Sequence, residues 1–499
     1  MSLTRRAGVV FLCALAYLGW LAASRFVLAL NDEGIYLDGG LRVLHGQAPY
    51  KDFFSLTGPG TFALEAASLR IFGATLAAGR MPVVFDIAIL TACLFWFVSK
   101  LGNQLAAALA SFTFLAFVTL GETAVVANHR WDSSAWAVLA ATLIVAGVDS
   151  KRSSMISLAA GIAVGIAAWC TPPVALVAIA LGACLAAYRA TRRLLIAYAG
   201  GVTVAFVAGL IWIVSTGAFS AMLDSLFWSA SNYAGANRVW YGSVTGGYAN
   251  LLHGSPVNTA STIAVLLFLT LPATLPFFSA IWLWKRPPMS VVILLTTGAA
   301  LILSTYPRWD LNHLTWVSAP FYALAAVLIA RTSFKKTVAA IVLIAAGSCF
   351  MVSIQQRLRE TTRVTSIGSV HGKQADLDVL EMIQARVKPS DTLFVFPYRP
   401  LLYFVTGAHN PTRYSFLQPG MFSAKDESEA LTELRAHPPQ WVFYTHVSPE
   451  AYLRIWPGSD PRRLEMAGIE NFLRENYQEK GRWADFQLLE GRSRAFAVR

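Results

Sequence analysis

Long apolar runs, each closed by a short polar stretch, recur from residue 7 to residue 353 and then stop. About eleven can be counted: 7–30, 79–99, 104–121, 134–148, 155–170, 174–188, 194–215, 257–284, 289–304, 317–330 and 337–353. Each has roughly the 15 to 25 residues with which a helix crosses a hydrocarbon core of about 30 Å. The pattern predicts a transmembrane module over 1–353 whose first outer loop is 31–78. From 354 to 499 charges become frequent and the periods shorten. DTLFVFP (391–397) and QWVFYTH (440–446) have the texture of buried strands, while 375–387, 427–437 and 467–477 carry helical spacing. This alternation predicts a small, soluble α/β domain with a largely parallel sheet.

Composition agrees with the pattern. Hydrophobic residues make up 56% and charged residues only 14%, and the mean hydropathy is +0.52. These values belong to a polytopic α-helical membrane protein. Five cysteines, Cys13, Cys93, Cys170, Cys184 and Cys349, fall within or at the ends of the apolar runs, so neither a disulfide framework nor zinc spacing is expected.

Charge then orients the chain. Every second connection is basic: Arg5 and Arg6, Lys100, Lys151 with Arg152, Arg189 with Arg192 and Arg193, Lys285 with Arg286, and Arg331 with Lys335 and Lys336. The alternate connections hold the single residues Arg130, Arg238 and Arg308, except the first, which holds Arg42, Lys51, Arg70 and Arg80 but also five carboxylates and is long enough for charge to count less. Basic loops resist translocation, which predicts a cytoplasmic N-terminus and an extracytoplasmic 354–499. The formal charge of +12 is therefore a topology signal and carries no nucleic-acid inference. MSLTRR with the apolar run behind it resembles a secretory signal, but its apolar stretch is longer than a signal core, and an uncleaved anchor is expected.

The first outer loop holds the candidate chemistry. Asp32 and Glu33 stand directly after the first span, where ionisable groups are costly unless they serve a purpose; the plainer reading is a helix cap. Asp132 follows an aromatic residue and precedes SSAW, a cap or a second acidic site. Glu33 with Asp132 could bind Mg or Mn through hard oxygen ligands, although nothing in the sequence requires a metal. Arg308 and Asp310 are either site residues or a surface ion pair. Lys51 and Asp52 read also as solvated loop charges, and Arg399 and Arg413 as surface residues. Trp228, Tyr233, Trp240, Tyr241 and Tyr248 suit a membrane interface.

Several segments together carry a resemblance. They are DEGIY at 32–36, PYKDFFSLTGPG at 49–60 with an apolar helix and IFG after it, HRWDSSAW at 129–136, YPRWDLNHL at 306–314 and LLYFVTGAHNPTRYSFLQPG at 401–420. The chain resembles GT-C glycosyltransferases, especially the branch of protein O-mannosyltransferases and lipid A aminoarabinose transferases, and bacterial family 39-like members. The resemblance implies an inverting enzyme that passes a sugar from a polyprenyl-phosphate carrier to a cell-envelope acceptor, in a bacterial inner membrane.

On that reading Asp32 is the general base for an acceptor hydroxyl, with Glu33 beside it. Arg25, Lys51, Arg308 and His313 are candidates for the donor's phosphate and sugar, while Tyr36, His129 and Asp310 are candidates for the acceptor side. Aminoarabinose transferases read EKPPL where this chain has LTGPG (56–60), so their specific activity is not carried over. Gly58 and Gly60 are expected to make a close-approaching turn stiffened by Pro59. The competing classes are a lipid or glycan flippase and an oligosaccharide ligase of the same superfamily. Pro172, Pro173, Pro272 and Pro276 are the features a transporter would use.

Overall fold

A computed structural model describes residues 1–28, 31–120, 125–148, 150–189, 191–244, 256–284, 287–483 and 486–492, with side chains at 31, 256–261, 263, 264, 283 and 284 excepted. Tyr248, Lys285 and Arg286 lie outside the described residues.

Every apolar run becomes helix. In chain order these are α1 (Leu3–Ala22), then two loop helices α2 (Asn31–Leu44) and α3 (Pro59–Phe72), α4 (Leu76–Leu101), α5 (Gln104–Val118), α6 (His129–Gly147), α7 (Ser153–Cys170), α8 (Ala175–Ala187) and α9 (Arg192–Ser215). The short α10 (Phe219–Trp228) and α11 (Ala234–Ala236) precede α12 (Pro256–Ala273), α13 (Leu275–Trp284), α14 (Met289–Ser304), α15 (Leu311–Trp316), α16 (Ala319–Ile329) and α17 (Lys335–Arg359). Side-chain caps fix several starts: Thr75 for α4, Asn103 for α5 and Asn128 for α6.

Length separates these helices. By length and composition α1, α4, α7, α9 and α17 are able to cross a membrane, and a sixth span forms if α12 and α13 count as one. That pair bends by 45°, where Pro276 lacks an amide hydrogen and its ring crowds the preceding turn. Shorter apolar helices fill four of the remaining runs. The chain is an integral membrane protein; the expected eleven runs are all helical, but fewer reach spanning length. Burial orders them: 72% of the apolar window of α4 is buried, against 17% for α17, so α4 is central and α17 peripheral. Gly161 of α7 and Gly201 of α9 face each other so closely that a Cβ on either would strike the other's backbone, the small-residue contact by which membrane helices approach.

Beyond α17 the chain makes β2 (Thr361–Thr365), β3 (Gly368–Gly372), α18 (Gln374–Arg386), β4 (Leu393–Phe396), α19 (Leu401–Thr406), α20 (Ala424–Ala436), β5 (Trp441–Thr445), α21 (Pro449–Ile455), α22 (Ala467–Asn476), β6 (Tyr477–Trp483) and β7 (Phe486–Gly491). The expected strands and helices are present. The sheet order is β4-β5-β7-β6, and only β4 and β5 run parallel. A largely parallel sheet is thus corrected, because two residues between β6 and β7 permit only an antiparallel return, whereas helical crossover joins β4 to β5.

This region does not stand apart from the first loop. The chain leaving α1 forms β1 (Arg25–Phe26) and joins β3 in parallel, making a second sheet of order β1-β3-β2. One apolar cluster contains Phe26, Leu37 and Phe62 together with Val370, Leu380, Leu393 and Phe443. Gly34 of α2 lies so close to Pro400 and Leu401 that any Cβ would collide with their backbone. The residues after 360 are therefore seated on α2.

Candidate active site at the first loop

Five chain segments converge on one polar cavity of about 540 Å³. The start of α2 brings Asp32, Glu33 and Tyr36, and the start of α6 brings Asn128 and His129. Residues 233–244 supply Tyr233 and Asn237, residues 308–316 supply Arg308, Asp310, His313 and Trp316, and the C-terminal region closes it with Tyr398, Phe416, Gln418 and Trp456.

Asp32 lies in the first turn of α2, where the helix dipole favours negative charge. It is exposed to the cavity. The Tyr398 hydroxyl donates to its Oδ1 at 2.7 Å, and Oδ2 has no partner among the described residues. Burial, followed by the charge of Asp32, pushes the Tyr398 phenol well above its usual range, so this hydroxyl stays protonated and donates.

Glu33 is different. Arg80 donates to both its oxygens at 2.6 Å, and the Ala127 amide donates to Oε1 at 3.0 Å. Arg80 also donates to the carbonyls of Ala22 and Arg25. Both groups are almost fully buried. Glu33 is corrected from a catalytic to a structural carboxylate, because a desolvated guanidinium already saturates it.

On the other wall Arg308 donates through Nε to Asp310 at 2.8 Å and through Nη1 to Asn237 at 2.9 Å. Its Nη2 has no partner among the described residues, and it stands within electrostatic reach of Asp32. Two strand-like bonds, Val239 N–H to Pro307 O at 3.2 Å and Gly242 N–H to Trp309 O at 2.8 Å, strap this loop in place. Arg308 is thus ion-paired with Asp310 and also lines the cavity. Asp310 caps α15 and also accepts from His313 Nδ1 at 2.8 Å. Burial would raise its pKa, but His313 and Arg308 hold it well below the usual carboxylate range. Asp310 is therefore corrected from an acceptor-side group to an orienting one. Burial lowers the pKa of His313 despite Asp310. Its Nδ1–H donates to Asp310, and its ring lines the cavity beside Trp316.

His129 donates from Nδ1 to Thr171 Oγ1 at 2.7 Å, since that hydroxyl is itself spent on the His129 carbonyl. Tyr36 lies between His129 and Phe62, with ring centroids at 5.6 and 6.3 Å. Both line the cavity.

Three expected residues fall outside it. Arg25 pairs with Glu360 at 2.5 Å, and His371 holds the other Glu360 oxygen at 2.7 Å. Strand pairing of β1 sets Arg25 beside His371 and so turns it to structural use. Lys51 donates to the Thr216 carbonyl at 3.1 Å, pinning the loop to the end of α9. Asp132 is buried, accepts from Thr61 at 2.6 Å and hydrogen-bonds with Asp86. Asn128, not Asp132, caps α6. The proposed Glu33–Asp132 metal pair is likewise corrected, since both carboxylates are occupied by protein groups. Among the described residues no group of three or more His, Cys, Asp or Glu has metal-binding geometry.

Gly58 and Gly60 make the expected close approach, against the backbone of Trp169 and Cys170, and Pro59 opens α3. Arg413 braces the first loop by donating to the Tyr50 carbonyl at 2.6 Å, and Arg399 stacks over Phe486. Of the interfacial aromatics, Trp240 is exposed, Tyr233 lines the cavity and Trp228 packs on Phe54 and Phe422.

Sequence reasoning did not single out Tyr398, Gln418, Asn237, Trp456 or Arg130. Arg130 lies within electrostatic reach of Tyr36, Tyr233 and Asp310. Gln418 is buried, with its amide nitrogen lacking a partner among the described residues. The signals were faint: Gln418 sits in the quoted LQPG segment, Arg130 in HRWDSSAW and Tyr398 one place before Arg399.

Neither a family model nor a curated protein matches the sequence. Among solved structures, ArnT from Cupriavidus metallidurans in the apo state is similar with a TM-score of 0.60 at 12% identity, covering 99% of this chain and 99% of that one. ArnT bound to undecaprenyl phosphate gives 0.57 at 11% identity over 98% of each chain. The archaeal oligosaccharyltransferase AglB from Archaeoglobus fulgidus, in complex with an inhibitory peptide and a dolichol-phosphate, gives 0.53 at 12% identity, covering 92% of this chain and 72% of that one. The chain shares the fold of ArnT and AglB.

Proposed function

We propose that this protein is an inverting glycosyltransferase that moves a sugar from a polyprenyl-phosphate donor to a cell-envelope acceptor on the extracytoplasmic face of a bacterial inner membrane. The observation that carries the reading is that Asp32 Oδ2 and Arg308 Nη2, each without a partner among the described residues, share one cavity of about 540 Å³. The solved ArnT with undecaprenyl phosphate and AglB with dolichol-phosphate make a lipid-phosphate donor the natural class to test.

The chemistry follows from the two walls. Asp32 takes the proton of an acceptor hydroxyl as its oxygen attacks the anomeric carbon from the face opposite the leaving group. The Tyr398 hydrogen bond holds the carboxylate in one orientation. The bond from carbon to phosphate oxygen breaks with inversion, and the departing polyprenyl phosphate takes the bonding pair, so its negative charge grows by one. Arg308, with Arg130 behind it, offsets that charge. No covalent intermediate is needed in a single displacement. Gln418, with an unspent buried donor, hydrogen-bonds a hydroxyl of the sugar or acceptor.

In this reading residues 1–353 form the membrane module and 354–499 an extracytoplasmic cover that completes the site. The transporter alternative is disfavoured because Asp32, Arg308 and Asp310 gather in one cavity, and no described residue of the bent α12–α13 pair lines it. The test is incubation of the purified protein with a panel of polyprenyl-phosphate sugars and envelope extracts, following release of polyprenyl phosphate. Acceptor-dependent release supports the proposal; no release across the panel, with intact folded protein, counts against it.

A further inference from the structure

A second cavity lies at the other end of the helix bundle. The Asp32 cavity lies at the starts of α2 and α6 and along residues 308–316, between α14 and α16, whereas this groove of about 310 Å³ opens at the starts of α5 and α17 and the end of α16. Its walls are apolar, formed by Leu105, Leu109, Leu267, Leu271, Ile329 and Val342. Its mouth is cationic: Lys335 and Lys336 line it beside Asn103. Both lysines are exposed and neither has a carboxylate partner among the described residues. The first-turn amides of the 25-residue α17 open at the same place without a side-chain cap, adding donors that suit a phosphate. The Tyr322 hydroxyl, 5% exposed on the groove wall, has no hydrogen-bond partner among the described residues. Ile341, Leu343 and Ile344 of α17 are exposed apolar side chains, which sets the surrounding surface in lipid.

We propose that this groove binds one diacyl phospholipid with an anionic headgroup, its phosphate held between Lys335 and Lys336 and the start of α17, and an acyl chain along the apolar wall. Two unpaired cations select a net negative headgroup over a zwitterionic one. The apolar wall selects a lipid over a soluble phosphate, since a free ion would leave that surface uncovered. A polar atom of the bound lipid satisfies Tyr322. The polyprenyl carrier is not the occupant, because its phosphate belongs at the opposite end of the bundle; this site stands or falls separately from the transfer reaction.

The test uses the full chain in detergent, titrated with phosphatidylglycerol or phosphatidylcholine of matched acyl chains and read by native mass spectrometry. One phosphatidylglycerol is expected to bind in clear preference to phosphatidylcholine. With about 1 kcal/mol per surface lysine, Lys335→Gln with Lys336→Gln is expected to weaken phosphatidylglycerol binding roughly thirtyfold and to erase the preference. Both lysines are exposed, so the folded state is retained. Ala326→Phe, which fills the groove, is expected to weaken both lipids. Equal binding of the two lipids by the unaltered protein, or a preference that survives the lysine changes, overturns the proposal. So does equally tight binding of chain-free glycerophosphoglycerol, which marks a simple phosphate site, or displacement of phosphatidylglycerol by equimolar undecaprenyl phosphate, which marks a carrier groove.

Discussion

Tyr398 and Asp32, 366 residues apart in the chain, meet in a hydrogen bond of 2.7 Å. The bond joins the C-terminal region to the helix that opens the first loop and leaves one oxygen of Asp32 facing the cavity.

Asp32→Asn preserves shape and still accepts from Tyr398, but it takes no proton. Transfer is expected to fall by about 10²- to 10⁴-fold, the usual worth of a general base, with donor binding unchanged. Polyprenyl-phosphate release measured beside equilibrium donor binding checks this; undiminished turnover removes Asp32 from the base role.

Tyr398→Phe removes only the donor to Asp32. A hydrogen bond to a charged group contributes about 1.5–3 kcal/mol, so kcat is expected to drop roughly ten- to hundredfold while the donor KM hardly moves. A change confined to KM would assign Tyr398 to substrate binding instead.

Arg308→Lys keeps the charge but loses the planar fork that reaches Asp310, Asn237 and the cavity at once. The donor KM is expected to rise about tenfold, the worth of one charge-assisted hydrogen bond. Unaltered donor affinity would return Arg308 to a purely structural ion pair.

Glu33→Gln leaves the Arg80 guanidinium buried without its counter-charge, a loss of about 3–5 kcal/mol. A large fall in melting temperature is expected, and Glu33→Gln combined with Arg80→Met should melt higher than Glu33→Gln alone. A stable Glu33→Gln protein that is selectively inactive would restore Glu33 to the chemistry.

The pH dependence has a definite sign. Burial depresses the pKa of His313 in the folded state, so the unfolded chain binds more protons once the pH falls below its usual value of about 6.5. The stability due to the neutral ring is present above about 6.5 and is lost as pH falls through the lower folded value. Thermal melting between pH 7.5 and pH 5 should show this decline, and His313→Gln should flatten it. Equal slopes in both proteins would refute the assignment.

Much of the architecture was fixed locally. Apolar runs bury their backbone hydrogen bonds as helices, so the helical state of these runs was legible from their own residues, whereas which of them reach spanning length was not. The strands at 393–396 and 441–445 were legible because continuous Leu, Phe, Val and Tyr have few other uses. Asp32, Arg308 and His313 could be located because costly charges at the ends of apolar runs point to a purpose. Tertiary structure alone decided how those charges were spent. Glu33 and Arg80 are 47 residues apart, and Arg25 and Glu360 are 335 apart. Nothing in either neighbourhood marks the pairing. A buried charge must find its opposite wherever the fold brings one near, and that search is non-local. The same holds for Tyr398 and Gln418, ordinary residues of the C-terminal region until its seating on α2 turns them into one wall of the cavity.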